Sequence, residues 1–284
     1  MISEIKNYKI LSFGKSIWGY RGNFILNKFI KQLKAHQFLF EELTKRDFKQ
    51  KYKRTVLGMA WSILSPLLTL LVMQVVFSFY FGQNIPHYTI YLFCGNLVFA
   101  YFRESTAGGM NALMSNAHIF SKVNVPKYIF LLSKNVSSLI NFGLTLCVFF
   151  LFVLAEPGLA LTWKGIMLFY PIACLILFNI GIGMILSALF VFFRDIGYLY
   201  DVFTTLLMYL SAIFYSVDIL PVPYRDLFLL NPVYCYIKYF RNIVIDAQIP
   251  SIEFHGLCLF YALSALAVGA WIYKKYNHKF LYYV

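Results

Sequence analysis

A chain of 284 residues that is 60% hydrophobic and only 13% charged carries more apolar surface than one soluble core can hide, since soluble domains hold about 25% charged residues. The mean hydropathy of +0.67 excludes an ordinary soluble domain and points to a bilayer as solvent. The formal charge of +13 invites a nucleic-acid partner, but thirteen of the 25 Lys and Arg residues precede Val56 and most others flank apolar runs; that is the pattern of basic cytosolic edges, and no nucleic acid is expected.

Residues 1–35 read as a cytosolic extension without a signal peptide, because the first apolar run long enough to insert begins near Val56. Residues 36–55 interleave Phe38, Leu43, Phe48 and Tyr52 with Lys45, Arg46, Lys49, Lys51 and Arg54. This spacing predicts an amphipathic helix lying in the headgroup layer; a solvated basic anchor is the plainer alternative. Residues 56–284 predict an all-α integral membrane domain of six transmembrane helices, at about 56–81, 88–107, 129–154, 165–193, 196–214 and 254–273. Pro66 interrupts the first of them. A polar stretch, 111–126, separates the second and third. The segment 215–253 holds Pro221, Pro223, Pro232 and Pro250 and is too charged to span. Its short apolar pieces predict two re-entrant helices broken at Asn231-Pro232. With the N-terminus inside, 21 Lys and Arg fall on the cytosolic side and four on the other, so the positive-inside rule places both termini in the cytosol.

The search for chemistry is mostly negative. Four of the five cysteines sit in apolar runs and none forms a CxxC pair, which suits buried thiols acting as small hydrophobes. Gly14-Lys15-Ser16 has only the tail of a phosphate-binding loop, with Lys9 where the first glycine belongs. No DxD or DD pair occurs and the five histidines are scattered. The chain is therefore expected to be no enzyme and to hold no metal and no cofactor. Asp201 is the one acidic residue placed well inside a predicted span; a conduit role and a local pairing with Arg194 or Lys122 both remain open.

What remains is a pathway. Ser62, Ser65, Thr69, Met73 and Tyr80 share one face of the first predicted span, and Asp201, Thr205, Met208 and Tyr215 share one face of the fifth. These mildly polar faces, with the ring of Phe77, are candidates to line a conduit. Helix packing uses the same small and hydroxyl residues and explains them equally well. For Asn179, Gly183 and Ser187 of the fourth span, packing is the expectation. The aromatic residues near the outer ends of the spans suit either an interfacial belt or rings on which sugars stack.

Four motifs in order carry a family resemblance. The run from Arg46-Asp47-Phe48-Lys49 through Tyr52-Lys53-Arg54-Thr55 to Leu57-Gly58, followed by Trp61 and Pro66, closely resembles the opening of polysaccharide-type ABC exporter permeases. Asn116-Ala117-His118-Ile119 and Ser121 to Lys127 are similar to that family's segment between spans two and three. Phe193-Arg194-Asp195 resembles its FRD turn after span four, and Asn231-Pro232 its NP before the last span. The resemblance covers the chain from about Phe38 onward. It implies a multi-pass subunit of a bacterial cytoplasmic membrane that pairs with a second copy of itself and two ABC ATPase subunits. ATP and Mg would be bound by those partners, and the cargo would be a lipid-linked polysaccharide such as O-antigen, capsule or teichoic acid. It also implies a gate role for the helix within 36–55 and an ATPase-coupling role for 111–126. The coupling candidates are Arg46, Asp47, Asn116, His118, Lys122, Asn124, Arg194 and Asp195. An ABC exporter of lipids or drugs, and a membrane enzyme of lipid-linked glycan assembly, are the alternatives.

Overall fold

The computed structural model describes residues 31–82, 85–159 and 162–283. Residues 1–30 of the expected N-terminal extension, with Gly14-Lys15-Ser16, lie outside the described residues. The chain divides into two compact units, Met1–Glu42 and Leu43–Val284. Of the first, 31–42 is helical apart from a turn at His36. The long apolar helices all belong to the second.

Every regular element among the described residues is helical. α1 (Gln37–Tyr52) leads through a turn to α2 (Trp61–Phe81). Gly58 sits at φ +52° in that turn, a left-handed conformation that favours glycine, and opens a 3-10 turn, Gly58–Ala60. The apolar run beginning at Val56 is thus not α-helical until Trp61. α3 spans Tyr88–Ser115, α4 Ala117–Phe120 and α5 Tyr128–Ala155. A 3-10 turn precedes α6 (Phe169–Phe192), and α7 (Ile196–Leu210) follows after three residues. α8 (Val222–Leu227), α9 (Pro232–Val244) and α10 (Ile252–Tyr276) complete the order.

Among the described residues, four helical stretches are long and apolar enough to cross a membrane: Gly58–Phe81, Tyr128–Ala155, Trp163–Phe192 and Ile252–Tyr276. α3 is long enough at 28 residues, about 42 Å at 1.5 Å per residue, but it carries Arg103 and Glu104. It runs eight residues past Ala107, and in that extension Gly109 lies against Gly183 of α6; a Cβ on Gly109 would stand 2.9 Å from the Gly183 Cα. α6 and α10 approach just as closely. A Cβ on Gly181 would meet the Ala265 carbonyl carbon at 2.4 Å, and one on Gly269 would meet the Gly181 oxygen at 2.6 Å. Backbones touch there, which is how transmembrane helices gain dispersion contact. Ser187 and Tyr273 bond through their hydroxyls at 2.6 Å, and Asn179 is fully buried, so the face Asn179, Gly183, Ser187 does serve packing.

α7 ends at Leu210, four residues before the predicted end of the fifth span. Ala212 adopts a left-handed φ of +48° and the chain leaves the helix. Apolar surroundings tolerate such a break only if its carbonyls find donors, and they do. Asn231 Nδ2 donates to the Leu210 oxygen at 3.2 Å. Arg241 donates to Ala212 at 2.9 Å and to Ile213 at 3.0 Å. The hydroxyl of Tyr88 donates to Phe214 at 2.8 Å and that of Tyr91 to Tyr215 at 2.7 Å. α9 starts where Asn231 caps it, its side-chain oxygen accepting from the amides of Val233 and Tyr234, with Pro232 at the first helical position, where its lost donor is harmless.

Candidate functional site

Three polar constellations stand out. The first is a cavity of about 760 Å³ between α2, α3 and α5, with the C-terminal end of α1 at its rim. Ser62, Ser65, Thr69 and Met73 of α2 line it, with Met208 of α7, so half of the ten conduit candidates meet in one space. Asn96, Asn141 and Thr145 add amide and hydroxyl groups, and Trp61, Phe99 and Tyr101 add rings. The hydroxyls of Ser62 and Thr69 donate to backbone oxygens one turn back, at Met59 (2.6 Å) and Ser65 (2.9 Å). Their lone pairs stay available while their donors are used.

The charges that reach this cavity are Lys51, Arg103 and Glu104. Glu104 pairs with Lys51 at 2.9 Å rather than with its neighbour Arg103. Its other oxygen accepts from Asn141 Nδ2 at 2.7 Å, and the Asn141 oxygen accepts from the Tyr52 hydroxyl at 3.0 Å. This chain of bonds ties the end of α1 to α3 and α5 across the rim.

The other conduit candidates lie elsewhere. Phe77 stacks on Phe214 at 4.3 Å. Tyr215 donates to the Tyr209 oxygen at 2.9 Å. Tyr80, Asp201 and Thr205 are exposed, and Asp201 forms no salt bridge with any described residue, Arg194 and Lys122 included. The outer aromatic residues divide in the same way: Tyr88, Phe93 and Phe214 are buried in packing, while Phe79 and Tyr80 face outward.

The second constellation is centred on Asp47 of α1, whose side chain is only 2% exposed. Its Oδ1 accepts from Arg46 Nη2 at 2.8 Å and Nε at 3.2 Å, and Lys134 Nζ of α5 stands 3.0 Å away. Arg46 Nη2 also donates to Asn116 Oδ1 at 2.8 Å. Asn116, fully buried between α3 and α4, donates in turn to the Ala112 oxygen at 2.8 Å. Three of the eight coupling candidates thus form one network. His118, Lys122, Asn124, Arg194 and Asp195 are exposed. Lys127, next to them, donates to the Asn277 carbonyl and lies 5.9 Å from the Phe120 ring and 5.7 Å from Phe280; burial pulls its ammonium below the usual lysine range.

The third is a second cavity, of about 460 Å³, that includes Tyr91, Asp218, Lys238, Arg241 and Asp246. Burial, and then the Asp218 carboxylate, push the Asp246 carboxyl above its ordinary range. Among the described residues no three metal-ligating side chains come together.

Sequence reasoning missed Glu104 and Asn141 as partners of the α1 end, and it used Arg241 only in the charge count. Arg103-Glu104 in a long apolar stretch was the available signal for the first pair. For Arg241, the signal was a basic residue four positions beyond the short apolar piece Val233 to Ile237.

The ABC-2 type transporter family profile matches residues 39–245. An O-antigen export system permease protein RfbA of Klebsiella pneumoniae is 28% identical over 251 residues, covering 86% of this chain and 95% of that one. The RfbA protein of Myxococcus xanthus is 28% identical over 230 residues, 80% of this chain and 87% of its own. The polysialic acid transport protein KpsM of Escherichia coli is 21% identical over 238 residues, 82% and 92% of the two chains.

Proposed function

The chain belongs to the ABC-2 type transporter family, and on that premise we propose that it is the membrane permease of an ATP-driven exporter of cell-surface polysaccharide, a multi-pass protein of the bacterial cytoplasmic membrane. The observation that carries this reading is the near full-length similarity to proteins named for O-antigen and polysialic acid export. The cavity is chemically suited to such cargo. Its interior presents hydroxyls, amides and rings, while charge is confined to Lys51, Arg103 and Glu104; a polymer that must slide needs many weak contacts rather than one tight pocket.

The finer architecture belongs to the same proposal. α3 and α7 complete six spans, α7 being lengthened across the membrane by the caught segment 211–215. A second copy stands against α2 and α7, whose outward residues Val75, Phe79, Tyr198 and Val202 are more than two-thirds exposed in one chain. That partner encloses Tyr80, Asp201 and Thr205 and turns two half-lined faces into one passage. α4 and the exposed turn at Arg194-Asp195 dock two ATPase subunits, which bind ATP and Mg.

The test fills the cavity. In proteoliposomes holding the permease and its ATPase, Ser65→Trp is expected to leave assembly and ATP hydrolysis within about twofold while lowering export of a lipid-linked glycan at least tenfold. Unchanged export by a folded Ser65→Trp complex would remove the cavity from the pathway. A wild-type complex that moves phospholipid but no glycan would remove the polysaccharide reading.

A further inference from the structure

The Asp47 network joins three segments that the sequence separates widely: α1 through Arg46 and Asp47, the α3–α4 joint through Asn116, and α5 through Lys134. A carboxylate taken out of water is costly unless its charge and lone pairs are met. Here one oxygen is oversupplied. Oδ1 faces both cations, whereas Oδ2 is buried with no hydrogen-bond partner among the described residues. Both cations keep contact with solvent, the Lys134 side chain at 21% exposure and Arg46 at 39%. An anion fixed in place, with two solvent-touching cations on one oxygen and a second acceptor free, offers more than one pairing arrangement.

The position of Asn116 gives those arrangements a direction. It is the residue at which α3 ends and α4 begins, and α4 carries exposed His118 on the cytosolic side. Arg46 Nη2 bridges the Asn116 oxygen and Asp47. A shift of α4 that withdraws the Asn116 oxygen frees Arg46 to take Oδ2, while Lys134 keeps Oδ1 and holds α1 to α5. The far end of α1 carries Lys51 and Tyr52 at the rim of the large cavity.

We propose that Asp47 is the positioning residue through which movement of α4 is converted into movement of α1 at the cavity rim, by exchange of Arg46 between Asn116 and the free Asp47 oxygen. The proposal rests on the permease reading and adds the route by which the motor reaches the cavity. Asp47 touches no cargo; it acts through Arg46 and Lys134.

The experiment uses the permease–ATPase complex in proteoliposomes with a fluorescent undecaprenyl-diphosphate oligosaccharide as probe, and reads glycan exported per ATP hydrolysed. Asp47→Asn keeps the size and removes the charge. Asp47→Asn with Lys134→Met removes both members of the pair, which is the gentler change for a buried ion pair. Both variants are expected to assemble and hydrolyse ATP, with export per ATP roughly tenfold lower, the scale of an ordinary coupling free energy. Wild-type export per ATP in the double variant would overturn the proposal. So would a loss of assembly and hydrolysis in step with export in both variants, which marks Asp47 as a brace. If the wild-type complex exports no probe on addition of ATP, the permease reading itself falls.

Discussion

Two buried ionic side chains, Asp47 and Arg241, solve the same problem in opposite ways. Asp47 is met by two side-chain cations, one of which, Arg46, also donates to Asn116 of a third segment. Arg241, only 7% exposed, forms no salt bridge with a described residue. It is held by the backbone oxygens of Ala212, Ile213 and Tyr91, with its guanidinium carbon 3.4 Å from the centre of the Tyr91 ring. Gly95 leaves the room it needs, since a Cβ there would stand 2.9 Å from Nη2. Backbone carbonyls cannot change partners without refolding their segment; side-chain cations can. The Arg241 constellation is therefore built as an anchor, and the Asp47 one has the make-up of the joint proposed above.

The largest effect should come from the anchor. Arg241→Ala strips donors from the carbonyls at the α7 break and is expected to destabilise the protein by roughly 3 kcal/mol, since buried acceptors without donors are costly. Detergent-solubilised variant should show a clearly lowered melting temperature and poor membrane yield; a wild-type melting curve would show that the break holds without Arg241. Smaller is the effect expected at the rim. Tyr52→Phe removes the donor to Asn141 and should cost about 1 kcal/mol, whereas Lys51→Ala, breaking a pair whose members are 45% and 35% exposed, should cost less than about 0.5 kcal/mol. A larger loss in Lys51→Ala than in Tyr52→Phe would mean that the rim is held more by charge than by the Tyr52–Asn141 bond. The smallest change, and one of opposite sign, belongs to Asp246. Its carboxyl titrates above the ordinary 3.8, so the folded state holds the proton more tightly than the unfolded chain and stability falls as pH rises through that interval. Asp246→Asn should slightly raise the melting temperature at neutral pH, with the gain vanishing below pH 3.8. A gain that grows on acidification would contradict the sign.

Much of this was legible in the sequence, and for a physical reason. α5, α6 and α10 begin and end within four residues of their predicted limits because a long apolar run has few other places to go. The break before Pro232 was legible because Asn-Pro is both cap and stop. The end of α7 was not. Nothing local forbids a helix through Ser211-Ala212-Ile213-Phe214; the donors that compensate for leaving it come from Tyr88, Tyr91, Asn231 and Arg241, all distant in sequence. The conduit face shows the same limit. Helical periodicity finds which residues share a stripe, but Met208 and Asp201 of the same stripe part company, Met208 lining the large cavity and Asp201 standing outside it, according to which helix stands opposite. Asp47 was picked out by its motif, while its burial depends on Lys134 in α5.

The glycine contacts between α6 and α10 carry a consequence for how such a machine runs. Two helices whose main chains interlock at Gly181 and Gly269 leave no slack for sliding, and Gly109 against Gly183 adds α3 to the same block. Those three form a chassis. α2 has only Ser62 and Leu70 buried, and α7 only Tyr200 and Thr204; within one chain these two hang on the block like doors on a frame.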